Sequence, residues 1–228
     1  MLPSLVALIQ SSNNTNDESD QDVLLLRSLE PFTIGGTRLC FLHPNDPTKC
    51  VKVLRTDRTP RLRRARTNGL KRFRSLKHWD DQYKEVQAYE HLVKKSTPKI
   101  WEHIPEFFGQ VQTDLGIGIV TRLFLNANGE YPRNLEEEIP SGLDASLAQA
   151  MENFKSWLRE ELVVTRDLLP HNIIVVRETE EFCRLVIVDG IGNSEWIPVS
   201  TWFTGFARRK IARKIKKFDY RVQLLLKD

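Results

Sequence analysis

Residues Thr165-Arg166-Asp167-Leu168-Leu169-Pro170-His171-Asn172 form the stretch that most limits what this chain can fold into. It is a polar turn pinned between two apolar runs, Leu162-Val163-Val164 before it and Ile173-Ile174-Val175-Val176 after it. Short β-branched runs of this kind are buried-strand material. Pro170 fixes one turn of the backbone, so Asp167 and Asn172 should be presented from a rigid frame. A further apolar run, Leu185-Val186-Ile187-Val188, ends in Asp189-Gly190. Two carboxylates and an amide, each at the mouth of a strand, suit a phosphate-bound Mg²⁺ beside a nucleophile. Ordinary turn chemistry is the competing explanation for Asp167 and Asn172.

A second feature lies far upstream. Cys50-Val51-Lys52-Val53-Leu54 reads as a short buried strand with a lysine inside it. Lys52 is either an outward-facing residue of a two-sided strand or a cation kept for nucleotide phosphates. The helix that follows is expected over 80–95, capped by Asp80-Asp81. On it Glu85, Ala88, Tyr89 and Leu92 fall at helical spacing on one face. Glu85 thus sits on an apolar stripe, and a buried carboxylate demands a cationic partner. Lys52 is the candidate; the competing readings are Glu85 as a stripe-edge residue near water and Glu90 as the paired carboxylate. Phe32 to Phe41 reads as strand, turn, strand around Gly35-Gly36. Those glycines would let backbone N–H groups approach a phosphate, although a plain hairpin turn explains them as well.

The remaining stretches fill in an α+β chain. Residues Ile104 to Gln112 and Gly118 to Leu125 are read as strands, leading to a hinge near Asn126 to Gly129. Tyr131 to Gly142, acidic and bracketed by prolines, is expected to be a loop. Ala145 to Glu161 reads as a helix with Leu147, Met151, Phe154, Trp157 and Leu158 inward, and Trp202 to Leu225 as an amphipathic helix with a basic face. The basic run 55–77 carries nine Arg and Lys from Arg58 to Lys77, broken by Thr59-Pro60 and Asn68-Gly69. It serves as a solvated connection or as a docking patch for an acidic partner, RNA or membrane. Phe73 is its one aromatic residue, so base stacking has little support and nucleic-acid binding is disfavoured.

Charge and cysteine usage narrow the function classes. A net charge of +4 permits anionic partners without selecting one. Cys40, Cys50 and Cys183 show neither a disulfide framework nor metal-ligand spacing, which points to a reducing cytoplasm. Met1 to Gln10 is apolar but lacks a basic n-region, so it is not read as a signal peptide. No run is long enough to span a bilayer. Ser11 to Gln21 is polar and reads as solvated, making 1–22 a disordered tail with structure expected from Val23.

The Asp-Leu-x-Pro-x-Asn spacing of Asp167 to Asn172, with Val-Lys-Val at 51–53, resembles the protein-kinase-like superfamily. More closely, the chain resembles the bacterial YrbL family of PhoP regulatory network proteins. The likeness runs roughly from Phe32 to Lys217 and includes Lys84-Glu85, Pro105-Glu-Phe-Phe-Gly-Gln-Val, Thr113-Asp-Leu-Gly, Val188-Asp-Gly-Ile-Gly and Phe206-Ala-Arg-Arg-Lys-Ile. The resemblance implies a two-lobed, protein-kinase-like fold with an N-lobe over 23–125 and a reduced C-lobe over 126–228. It implies ATP and Mg²⁺ as cofactors and a hydroxyl acceptor, protein or small molecule. Lys52 would neutralise the nucleotide phosphates and Glu85 would orient Lys52. Gly35 and Gly36 would border the phosphates, Asp167 would take or orient the acceptor's proton, and Asn172 and Asp189 would hold the metal. The pattern also departs from protein kinases. Thr165 stands in place of a histidine, Leu169 in place of a lysine, and Asp189-Gly190-Ile191 in place of Asp-Phe-Gly. The segment after Asp189 is expected to be too short for a usual activation segment and peptide-docking lobe. An inactive, nucleotide-binding or protein-interaction regulator is therefore the alternative.

Overall fold

Around Gly35-Gly36 the chain closes into a hairpin, and that hairpin opens a five-stranded antiparallel sheet. In the computed structural model, which describes residues 23–69, 73–95, 97–163, 165, 168–191 and 204–227, the first strands are β1 (Thr33–Ile34), β2 (Arg38–His43) and β3 (Asp46–Leu54). β4 (Phe107–Thr113) and β5 (Gly116–Arg122) complete the sheet in the order β1-β2-β3-β5-β4. The tail expected over 1–22 and the catalytic candidate Asp167 lie outside the described residues.

Strand alternation decides which way Lys52 faces. Side chains two apart share a face. Val51 and Val53 join Phe41, Val120, Leu24 and Leu26 in one apolar cluster. Cys50 and Lys52 therefore occupy the opposite face. That face is not solvated: Lys52 is only 7% exposed. The register pairs Cys40 with Lys52 and Lys52 with Ile119. Gly118 lets β3 and β5 pack closely, because a Cβ there would come within 2.6 Å of Val51 Cγ1.

The basic run forms two short helices, α1 (Pro60–Ala65) and α2 (Leu76–Trp79), on the way to α3 (Asp81–Lys95). Thr59 caps α1, with Pro60 at its first position. The Asp80 carboxylate accepts from Tyr83 N at 2.9 Å, which starts α3 where the sequence suggests. Ala88, Tyr89 and Leu92 of α3 lie in a large core with the downstream elements. These are α4 (Leu135–Glu138), α5 (Ala145–Glu160), the two-stranded sheet of β6 (Ile173–Arg177) and β7 (Cys183–Ile187), and α6 (Thr204–Leu225). From α6, Ile211, Ile215, Phe218 and Val222 are buried in that core, and Ala207 is also buried. The helix is thus docked on its own chain, with Arg208, Arg209 and Arg213 outward. At full burial each large apolar side chain contributes about 1.5–3 kcal/mol relative to exposure.

Three expectations need correction. The segment 131–142 is not simply a loop. Asn134 and Glu137 form a reciprocal capping box that starts α4, and Ile139–Ser141 continues it as a 3-10 turn. Burial of Leu135 and Ile139 to 1% or less fixes the turn in place. Leu162-Val163 is not a strand. Glu161 N closes α5 on Trp157 O, and Leu162 then takes φ 52°. That left-handed geometry ends the run before any ladder can form. Finally, β4 begins at Phe107 rather than Ile104, because Pro98–Glu102 turns as a 3-10 helix ahead of it.

Candidate active site

The local geometry of the 165–172 stretch follows from Pro170. With its φ fixed, Pro170 opens a single 3-10 turn, Pro170–Asn172, which feeds directly into β6. The β6–β7 register pairs Ile173 with Ile187. One step beyond, Val188 N donates to Asn172 O at 2.9 Å. Asn172 and Asp189 therefore emerge side by side at one end of the small sheet. Gly190 has φ 80°, so the chain can turn immediately after Asp189. Gly190 N donates to Asp189 Oδ1 at 2.6 Å.

Above them lies the buried face of β3. Lys52 Nζ donates to Val188 O at 2.8 Å, tying the large sheet to the exit of the small one. Its distance to Glu85 Oε1 on α3 is 3.9 Å. Glu85 is 2% exposed, so the sequence reading of an inward carboxylate beside Lys52 holds in the structure. The closer partner of Glu85 is Arg38, the first residue of β2, which forms an ion pair with Oε2. Arg38 Nη2 also donates to Asp81 O at 3.2 Å. Glu85 Oε1 has no hydrogen-bond partner. Asp81 is bound in turn by Arg63 from α1 and by Lys84 at 3.4 Å.

Electrostatics keep the two buried cations charged. Burial works against the Lys52 ammonium, but the Glu85 carboxylate and nearby Cys50 and Cys40 outweigh it, and its pKa is held above the ordinary lysine value. Burial also opposes the Arg38 guanidinium; Glu85, Asp189 and Asp81 overcome that and raise it. The thiol of Cys40 is pushed up to about 11, chiefly by burial. The Tyr89 hydroxyl is pushed well above its usual value, again by burial first and by Glu85 second.

The two sheets bound a cleft of about 500 Å³, lined by Gly36, Arg38, Glu85, Asn172 and Asp189 among others. Of the residues expected from sequence, Gly36, Glu85, Asn172 and Asp189 thus border one cleft. Lys52 forms a long ion pair with Glu85, at 3.9 Å, and a hydrogen bond to the residue before Asp189. Gly35 is taken up in the hairpin, its N–H donating to Arg38 O at 2.8 Å. Gly36 has open space where a Cβ would stand. Arg38 and Arg63 were not singled out by the sequence reading. A signal for Arg38 was present: Cys40 lies opposite Lys52, and period-two alternation puts Arg38 on the same face. Nothing comparable marks Arg63, since its place depends on how α1 docks.

Among the described residues no group of three or more His, Cys, Asp and Glu side chains could hold a metal ion. One carboxylate and one amide instead suit Mg²⁺, which keeps waters and takes phosphate oxygens as ligands. Asp189 and Asn172 fit that partial donor set.

Sequence comparisons give a consistent picture. The family described as PhoP regulatory network protein YrbL matches residues 24–223. The chain is 30% identical over 207 residues to the protein YrbL of Escherichia coli (strain K12), covering 86% of each chain. It matches the YrbL protein of Shigella flexneri to the same extent.

Proposed function

The chain belongs to the PhoP regulatory network protein YrbL family, and we propose that it is an ATP- and Mg²⁺-dependent phosphotransferase with a two-lobed, protein-kinase-like fold. The lobes would be 23–125 and 126–228, meeting at the cleft. The observation that supports this reading is convergence. Lys52, Glu85, Asn172 and Asp189 come from four separate stretches of chain, and all border one cleft or bond to its wall.

In this reading the nucleotide's phosphates lie between Gly36 and Asp189. Lys52 neutralises them and Glu85 holds Lys52 in place. Asn172 and Asp189 hold Mg²⁺, whose chemistry is to screen the phosphate charge. Asp167 takes or orients the proton of the acceptor hydroxyl, as the resemblance implies. No covalent enzyme intermediate is needed, because position and charge neutralisation carry phosphoryl transfer. The acceptor is a hydroxyl group on a protein or a small molecule. The three free thiols of Cys40, Cys50 and Cys183 fit a cytoplasmic reaction. No helix among the described residues is long and apolar enough to cross a membrane.

One observation favours a second reading, an inactive nucleotide-binding or protein-interaction regulator. Lys52 bonds to Val188 O, while Arg38 occupies Glu85. A lysine engaged in this way is not yet turned toward a phosphate. The two readings separate on incubation with ATP labelled at the γ-phosphate. Label passing to an acceptor in wild type and lost in Asp167→Asn supports the transferase. Tight Mg²⁺-dependent ATP binding with no transfer to any tested protein or small-molecule acceptor, and no hydrolysis, supports the regulator.

A further inference from the structure

Arg38 and Lys52 are each 7% exposed, and Glu85 is 2% exposed. Two buried cations therefore share one buried carboxylate. Asp189 and Asp81 add negative field at Arg38, but Glu85 is the one carboxylate that forms an ion pair with either cation among the described residues. Burial keeps the Cys40 thiol and the Tyr89 hydroxyl protonated at neutral pH. Asp81 is engaged by Arg63 and Lys84. Asp189 is the remaining carboxylate on the cleft wall, and it is exposed. A buried charge in excess is costly unless something of opposite sign pairs with it. Arg38 itself lines the cleft, as does Arg63. A volume of about 500 Å³ falls within the usual range for small-molecule sites.

We propose that Arg38 is a direct ligand of a phosphate group bound in the cleft, so that the site takes phosphate-bearing anions through a residue of β2 as well as through Lys52. The inference rests on the nucleotide-site reading and names a further contact in it. A guanidinium suits the role, since it carries five N–H donors: Nη1 pairs with Glu85, Nη2 donates to Asp81 O, and the remaining N–H groups can serve phosphate oxygens. The ligand's phosphate chain would belong to a nucleoside triphosphate or to a free polyphosphate, and the same chemistry recognises both.

The test is calorimetric titration of the full chain with ATP, tripolyphosphate and adenosine, each with Mg²⁺, for wild type, Arg38→Gln and Arg38→Lys. We expect Arg38→Gln to bind ATP and tripolyphosphate about tenfold or more weakly, with adenosine affinity unchanged. A folded Arg38→Gln that binds both phosphates as tightly as wild type overturns the proposal while leaving the nucleotide reading intact. If Arg38→Gln does not fold, Arg38→Lys decides, because it keeps a cation beside Glu85. A loss of about threefold or more on both phosphate ligands supports the contact, and unchanged affinities overturn it. Tripolyphosphate bound through Arg38 with no ATP binding supports the phosphate site and sinks the nucleotide reading. Wild type binding neither overturns both.

Discussion

Behind β7, Trp157 lies in the large core with His103 packed against it, and each is held by a hydrogen bond to backbone. The His103 ring donates through Nδ1 to Leu185 O at 2.6 Å, and Trp157 Nε1 donates to Lys99 O at 2.8 Å. In front, beside β3, Arg38, Lys52 and Glu85 are buried to a similar degree but are not balanced. Glu85 Oε1 lacks a hydrogen bond, and two cations face one carboxylate. The His103–Trp157 pair also borders a groove, of about 580 Å³. Burial of polar groups is thus no sign of function by itself. What distinguishes the front cluster is that two buried cations share one buried carboxylate; an orphaned polar atom alone does not, since Arg184 Nε on the rear groove also lacks a hydrogen-bond partner.

The comparison is broken most forcefully at Glu85. Glu85→Ala leaves Arg38 and Lys52 buried without a counter-charge, and should destabilise the protein by about 3–5 kcal/mol, measured by urea denaturation. A change below about 1 kcal/mol would mean that the cluster is well solvated and the contrast with the rear centre is false. Trp157→Phe should cost less, about 1–3 kcal/mol for the orphaned Lys99 carbonyl, and should leave ATP affinity alone. Loss of ATP binding in a folded Trp157→Phe would give the rear centre a role it is not assigned.

Acid titration sharpens the same contrast. Burial lowers the His103 pKa below its ordinary value of 6.5. The neutral ring is favoured in the folded state, so this contribution is fully present above pH 6.5. It is lost as the pH falls below that point, where the unfolded chain takes up the proton first. His103→Gln should flatten the decline in melting temperature over that window, and an undiminished slope would assign it to other groups. The smallest effect concerns Cys40. With its thiol pushed up to about 11, it should react with iodoacetamide far more slowly at pH 8 than a free cysteine peptide does. Peptide-like reactivity would show that this face of the large sheet, where Cys40 of β2 lies opposite Lys52, is open to solvent.

Much of this was legible in the chain. The position of Glu85 followed from its spacing with Ala88, Tyr89 and Leu92, which the core of α3 reproduces. Pro170 and the two apolar runs around 173–188 forecast the small sheet and brought Asn172 and Asp189 to one end of it. Local signals sufficed there, because the turn and the strands are contiguous. Asn134 and Glu137 spell the capping box of α4, but the acidic, proline-bracketed composition of 131–142 reads as a loop and masks that signal. Arg38 was missed for a different reason. Its contact with Glu85 spans 47 positions, from Arg38 to Glu85, and depends on strand register and helix docking together. The docking of Arg63 against Asp81 is of the same kind. Strand periodicity tells which face a residue takes, but not which helix will cover it.

The central claim is that the front cluster and Asp189 together form a Mg²⁺-dependent nucleotide site. It is tested most directly by calorimetric titration of ATP into wild type and Asp189→Ala, each with and without Mg²⁺. Asp189 is exposed, so its replacement should change stability by no more than about 0.5 kcal/mol, and both proteins can be compared folded. The account predicts ATP binding that Mg²⁺ strengthens in wild type, with that Mg²⁺ effect lost in Asp189→Ala. Absence of ATP binding by wild type under either condition, or a Mg²⁺ effect preserved in Asp189→Ala, would contradict it.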